Sequence, residues 1–407
     1  MKEKIVTKVT EATEGAPVSA SSDTLLGAAK ACRDILLANL VMAAEMPAPT
    51  FSEADRVRFL LDRFREAGLD HISSDEMDNA IGFLPGSVGD KTVAVVAHLD
   101  TVFDKKEHHA LSLGAERVRG IGIGDNSLGV AVLASLPVLL EHLQFRPSYN
   151  LLLLGVSRSL GRGNLGGIRF LLENSSRNID EAICLEGCPL GRLNFTAVAM
   201  MRGEIRVSMP DEYDFSRFGV HGAIYHLNDL INRILEIPRP SRPRTSVVFG
   251  SIEGGNTFHQ LARDARLRFE VRSESDEVAG MILNKIRNIL DEVRARSGVD
   301  IALDEIAWRD HGGIAFDHPL VRTCRAVMHE LQIEPQIGPS MSELAALIAA
   351  GIPAVTLGLT RVHEVNTLGE EAEIAPMFRG IAQVLGVLQG LDTRQPAESE
   401  SDKGVKV

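Results

Sequence analysis

The sequence predicts an α/β fold: a mostly parallel sheet with helices on both faces, plus a smaller inserted α+β unit. Three observations point there. Apolar strand-like runs alternate with helical runs up to about Asn194. Between about Met201 and His311 the order becomes strand, helix, strand, strand, helix, strand, a split βαβ or ferredoxin-like pattern. Beyond it, single helix and strand signals resume, as expected of a chain returning to the sheet it left. With 407 residues, 44% of them apolar, the chain is long enough for a large core and two domains.

Residues 1–23 mix early charges with Ala, Ser, Thr, Gly and Glu and contain no apolar run, so a flexible N-terminal tail is expected. The first part of the larger domain spans 24–200. Apolar residues recur at helical spacing from Thr24 to Met42. Ser52 is a natural N-cap, followed by Glu53 and Asp55, for a helix reaching Glu66 before Gly68. Strands are expected at Thr92–Ala97, Tyr149–Val156 and Glu181–Gly187, with a helix at Val130–Leu140 between the first two. The inserted unit, 201–311, takes strands at Glu204–Met209, Ser246–Glu253, Arg266–Arg272 and Asp300–Trp308 and helices at Gly222–Ile237 and Glu277–Ser297. The larger domain resumes over 312–392 with a helix at Pro319–Leu331, a strand at Ile352–Gly358 and a helix at Ala375–Leu391. The polar residues 393–407 bury too little to offset their ordering entropy and form a second flexible tail.

The net charge of −12 is spread along the chain without a basic stripe, which argues against nucleic acid and anionic membranes as partners. No run reads as long enough to span a bilayer, and a cytoplasmic protein is expected. The four cysteines, Cys32, Cys184, Cys188 and Cys324, follow neither a disulfide framework nor a zinc-ribbon spacing, so buried thiols are expected.

Chemistry gathers at strand ends. His98 and Asp100 follow the apolar run Thr92–Ala97, and Asp125 sits in Gly122-Ile123-Gly124-Asp125-Asn126-Ser127-Leu128-Gly129, just before a helical run. With these motifs, Met46-Pro47-Ala48-Pro49-Thr50-Phe51-Ser52-Glu53, Gly254-Gly255, Arg272 and Gly351-Ile352-Pro353-Ala354-Val355, most of the chain resembles the aminoacylase and carboxypeptidase family of co-catalytic zinc hydrolases. That family includes acetylornithine deacetylase, succinyl-diaminopimelate desuccinylase and peptidase T. The resemblance implies a zinc-exopeptidase-like domain with an inserted lid, and a homodimer formed through that lid.

It also implies site roles. Asp125 stands at the metal-bridging position, His98 and Glu186 at ligands of one metal, and His363 at a ligand of the second. Asp100 orients the His98 imidazole. The family motif Glu-Glu-Gly-x-Gly, whose first Glu is the general base and second a metal ligand, corresponds here to Ser159-Leu160-Gly161-Arg162-Gly163. Serine is no carboxylate base and leucine no ligand, so one divalent metal is expected rather than two, zinc by the donor types. In the lid, Arg272 stands where relatives clamp a substrate carboxylate, and His259 replaces an Asn. Tyr213 is the nearest candidate for a lid histidine expected within Pro210–Asp214. Glu343 stands at the pocket wall. The implied partner is a small amino-acid-like or acyl substrate. Three readings follow: an ordinary N-acyl-amino-acid or peptide hydrolase with a replacement base, a metal enzyme repurposed to another acyl or carbonyl reaction, and a non-catalytic binding or regulatory protein. The selective loss at 159 and 160 favours the second.

Overall fold

The computed structural model describes residues 20–210 and 221–393. The helix expected over 24–42 is two helices, α1 (Ser22–Ala31) and α2 (Arg33–Glu45), broken at Cys32. The break lets α1 pack on the C-terminal helix and α2 on the helix that follows Asp125. In α3 (Ala54–Glu66) the N-cap position is Glu53, not Ser52, and its side chain caps nothing in the helix. That carboxylate turns back instead to accept the amides of Phe51 (3.1 Å) and Arg158 (2.8 Å).

The chain continues through β1 (Asp70–Ser74), β2 (Ala80–Leu84), β3 (Thr92–His98) and two short strands, β4 (Ser112–Leu113) and β5 (Arg117–Arg119). A wide turn, Ile123–Ser127, leads into α4 (Leu128–His142); β6 (Asn150–Val156), α5 (Gly166–Asn174), β7 (Glu181–Glu186) and β8 (Arg192–Ala197) follow. The lid then contributes β9 (Ala199–Ser208), α6 (Ala223–Leu235), β10 (Thr245–Gly254), β11 (Asp264–Ser273), α7 (Asp276–Ser297) and β12 (Asp300–Arg309). The chain closes with β13 (Gly312–Gly313), α8 (Pro319–Glu330), β14 (Gln336–Ser340), α9 (Glu343–Ala349), β15 (Ala354–Gly358), β16 (Val362–His363), β17 (Glu371–Glu373) and α10 (Ile374–Asp392).

The large sheet has the order β1-β2-β6-β3-β7-β15-β8-β13, with β14 also on β8. Its centre is parallel, β6 with β3, β3 with β7 and β7 with β15, and its margins are antiparallel. Buried on both faces, the central strands are near-continuous apolar runs, as Thr92–Ala97 and Leu151–Val156 are. One core, with α1–α4, α8 and α10, covers one face, and a second, with α5 and α9, the other. The lid sheet, β10-β11-β9-β12, is wholly antiparallel and buries one face under α6 and α7 around a core of its own.

The expectation that no run is long enough to span a bilayer needs correction. By length and composition two helices qualify, Ile123–His142 and Ile374–Asp392, but both are mostly buried against the sheet. They are apolar because both sides pack on protein. All four cysteines are buried, and none is in a disulfide.

Candidate metal centre

β3 and β7 are neighbours in the sheet and end level with one another, which brings His98 and Glu186 together at their C-terminal edge. The Asp125 turn is pressed onto that edge. Asn126 donates from Nδ2 to Leu185 O (2.8 Å) and accepts from the Gly187 amide (2.9 Å). Gly187 must be glycine for this approach, because a Cβ there would lie 2.6 Å from Gly124 O. Gly122, at φ +68°, begins the turn in the left-handed region. From the far side Glu370, buried, accepts the amides of Gly122 (3.0 Å) and Gly124 (2.6 Å).

The result is a compact cluster. One donor atom each from His98, Asp125 and Glu186 lie within 4.8 Å of one another, the one such metal-competent group among the described residues. His98 Nε2 is 3.0 Å from Asp125 Oδ1 and 4.0 Å from Glu186 Oε2. Its Nδ1 faces Asp100, 3.1 Å from the carbonyl and 3.4 Å from Oδ1. Burial works against a charged imidazole, yet Asp100 and Asp125, with Glu343 behind them, hold His98 well above its ordinary pKa. Burial raises the Glu186 carboxyl to about 7, helped by Asp125 and Glu343 and opposed by His98. One nitrogen and two carboxylates this close fit a divalent ion, zinc by ligand type, at roughly 2.0–2.2 Å from each.

A second ion does not fit the same way. Leu160 offers no donor, and its amide is bound to Asp100 Oδ2 at 2.8 Å. The His363 strand does lie beside the Asp125 turn, since Val362 packs against Gly124 and Asn366 donates to Asp125 Oδ2 (3.1 Å). The His363 imidazole, however, is about half exposed and its Nε2 is paired with Glu373 Oε1 at 2.9 Å, outside the cluster. Ser159 is buried, and its Oγ has no partner among the described residues. The loop around it is pinned on both sides, with Arg158 N on Glu53 and Leu160 N on Asp100.

Arg272 lies in a cleft of about 490 Å³ between the lid sheet and the turn Gly161–Gly163, two residues beyond Ser159, and its Nε binds Glu270. Arg202 Nε binds the other oxygen of that carboxylate at 2.5 Å. Glu343, the first residue of α9, is buried and one of its oxygens is unpartnered. His259 is exposed on the lid beside Thr257 Oγ1 (3.1 Å), and it is not part of the cluster found among the described residues. Tyr213 lies outside the described residues.

Sequence reasoning missed two contributors. Glu53 supports the Ser159 loop. Arg56, almost fully buried, donates to Met46 O (3.1 Å), Leu99 O (2.8 Å) and Ser127 Oγ (2.9 Å), tying the His98 strand end to the Asp125 turn.

Two family descriptions match segments of the chain: Peptidase dimerisation domain over 217–297 and Peptidase family M28 over 79–158. No curated protein matches. Among solved structures, the di-peptidase Dug1p from Saccharomyces cerevisiae superposes with a TM-score of 0.75 at 12% identity, covering 92% of this chain and 99% of that one. A tripeptidase from Staphylococcus aureus gives 0.70 at 16% identity, covering 89% and 99%. YXEP from Bacillus subtilis, described as a dinuclear metal binding peptidase from the M20 family, gives 0.62 at 13%, covering 89% and 98%. The fold is that of these peptidases, and two segments are similar to a peptidase dimerisation domain and to peptidase family M28. They bear out the resemblance to the aminoacylase and peptidase T-like zinc hydrolases, and at such identities the structures speak to fold rather than to activity.

Proposed function

We propose that this chain binds one divalent ion, zinc by donor type, through His98, Asp125 and Glu186, and uses it on an amino-acid-like or acyl carboxylate in a carbonyl reaction other than standard amide hydrolysis. The observation that carries the reading is the contrast between the 4.8 Å cluster and the loop beside it, where Ser159 and Leu160 offer neither a base nor a ligand. When bound, the ion supplies a Lewis acid for a substrate carbonyl. Asp100 orients His98 and favours the tautomer that leaves Nε2 free to ligate. Ser159 Oγ, buried and unpartnered, is a hydrogen-bond donor rather than a proton acceptor near neutral pH. Arg272, on the cleft wall with its Nε on Glu270, would bind a substrate carboxylate through its remaining guanidinium N–H groups. The match to a dimerisation domain and the free edge of β10 support a homodimer through the lid.

The test is metal analysis of protein purified without added zinc, together with hydrolysis of a panel of N-acetyl amino acids and dipeptides with zinc, cobalt or manganese. At most one tightly held ion per chain is expected, with turnover far below roughly 1 per second. Turnover at that rate, abolished by His98→Ala, would overturn the reading, and two ions at full occupancy would overturn its metal count.

A further inference from the structure

Two buried groups of opposite charge meet near this cluster, and neither has a matching partner. Arg309 ends β12 in register with Met200 of β9, which pairs in turn with Arg272 of β11. The adjacent row, Trp308, Met201 and Val271, faces the lid core. Arg309 and Arg272 therefore share the opposite, cleft-side face of the lid sheet. Arg309 is only 3% exposed; its Nη1 touches Met200 Sδ at 3.8 Å, and its Nε has no partner among the described residues.

Glu343 approaches from the large domain. It is 2% exposed, and its Oε1 has no partner among the described residues. Its helix, α9, packs on β7, β8 and β13, and Ile348 on that helix lies against Gly312, three residues past Arg309. The guanidinium and the carboxylate thus flank the place where the lid strands join the large sheet, beside the metal ligands. Among the described residues no ion pair joins them. A buried charge left without a partner destabilises the free protein, a cost that a ligand supplying the missing partners removes.

We infer that Arg309 and Glu343 form a subsite for a small zwitterion, an unblocked amino acid or dipeptide: Arg309, beside Arg272, takes its carboxylate and Glu343 its ammonium group. A guanidinium matches a carboxylate with parallel N–H donors. The buried, unpartnered Oε1 of Glu343 accepts an ammonium N–H, a donor set that an acylated nitrogen with its single N–H does not match. The inference rests on the reading of an amino-acid-like ligand and narrows it to one with both charges free.

The experiment is calorimetric titration of the full chain, with and without zinc, using free L-amino acids and dipeptides. Every ligand that binds is compared with its N-acetyl and its C-terminal amide derivative. Blocking either end should weaken binding about tenfold or more. Arg309→Met should erase discrimination against the amide while keeping that against the N-acetyl form, and Glu343→Gln should do the reverse, a crossed pattern that a purely structural role does not produce. The ligand comparison needs no variant, so it stands if either substitution harms folding. N-acetyl amino acids binding as tightly as free ones, with Arg272→Ala weakening both, would overturn the zwitterion subsite and leave the carboxylate-binding reading intact. Failure of every free and blocked ligand to bind would overturn both.

Discussion

Arg56 and Arg309 are both buried guanidinium groups, and burial lowers the pKa of each to about 10, yet the two should behave oppositely when removed. Arg56 satisfies the buried Leu99 carbonyl and Ser127 hydroxyl and the part-buried Met46 carbonyl. Arg56→Met strands those acceptors and should cost about 2–4 kcal/mol in urea unfolding, with weaker metal binding because Leu99 and Ser127 flank the ligands. Arg309 has only a sulfur contact, so Arg309→Met should leave stability unchanged or raise it. A loss of more than about 2 kcal/mol for Arg309→Met would mean that it has a structural partner, Glu343 being the first to test by a double-mutant cycle. At this scale the sequence is half legible. His98, Asp125 and Glu186 come together because strand ends of a parallel sheet converge, and strand ends can be read from apolar runs. Glu53 and Arg56 bond to backbone atoms of distant loops, which leave no periodic signal. His363 shows the converse: its position in the chain is legible, but its imidazole turns to Glu373, a partner that only the β16–β17 pairing brings near.

Among the elements, the loop from Arg158 to Gly163 carries the test of the proposed change in chemistry. Its backbone is held by Glu53 and Asp100 whatever side chains it carries, so carboxylates introduced at 159 and 160 would sit on an unchanged frame. Ser159→Glu alone should recover little hydrolysis, whereas Ser159→Glu with Leu160→Glu should raise bound metal towards two ions and give measurable turnover on dipeptides. Metal analysis separates these outcomes, and a double variant still limited to one ion would show that His363 cannot turn inwards. The lid sheet has its own electrostatic element. Burial raises the Glu270 carboxyl, but Arg202 and Arg272 outweigh it and hold the pKa below the usual value. Its stabilising contribution is therefore complete above the unfolded-state pKa and disappears as pH falls through the lower folded one. The acid limb of a stability–pH curve should flatten in Glu270→Gln. Long elements were legible because their periods are, including the lid's strand–helix order. The strands β4, β5, β16 and β17 span two or three residues each, too short to show any alternation, and they were not expected.

At the scale of the whole molecule, the lid hangs on two adjacent strands, β9 and β12, whose Met200 and Arg309 are paired just beyond the large sheet. This attachment leaves the far side of the lid away from the large sheet. There β10 is an unpaired edge, with Ile252 60% exposed and Ile224 and Tyr225 of the neighbouring helix about half exposed. A long edge strand flanked by apolar side chains is a liability unless covered, and a second copy related by two-fold symmetry covers it by pairing edge to edge. A stable pair needs roughly 1,200 Å² or more of buried surface, which a ten-residue edge with the adjoining α6 can supply. Light scattering on the full chain should therefore report a dimer. Ile224→Lys with Ile252→Lys should give monomers of unchanged melting behaviour, since both side chains already face solvent in the single chain and the lid core does not include them. A dimer that survives both charges would move the interface off this edge, and a wild-type monomer would leave β10 protected only by its irregular register between Phe249 and Ser251.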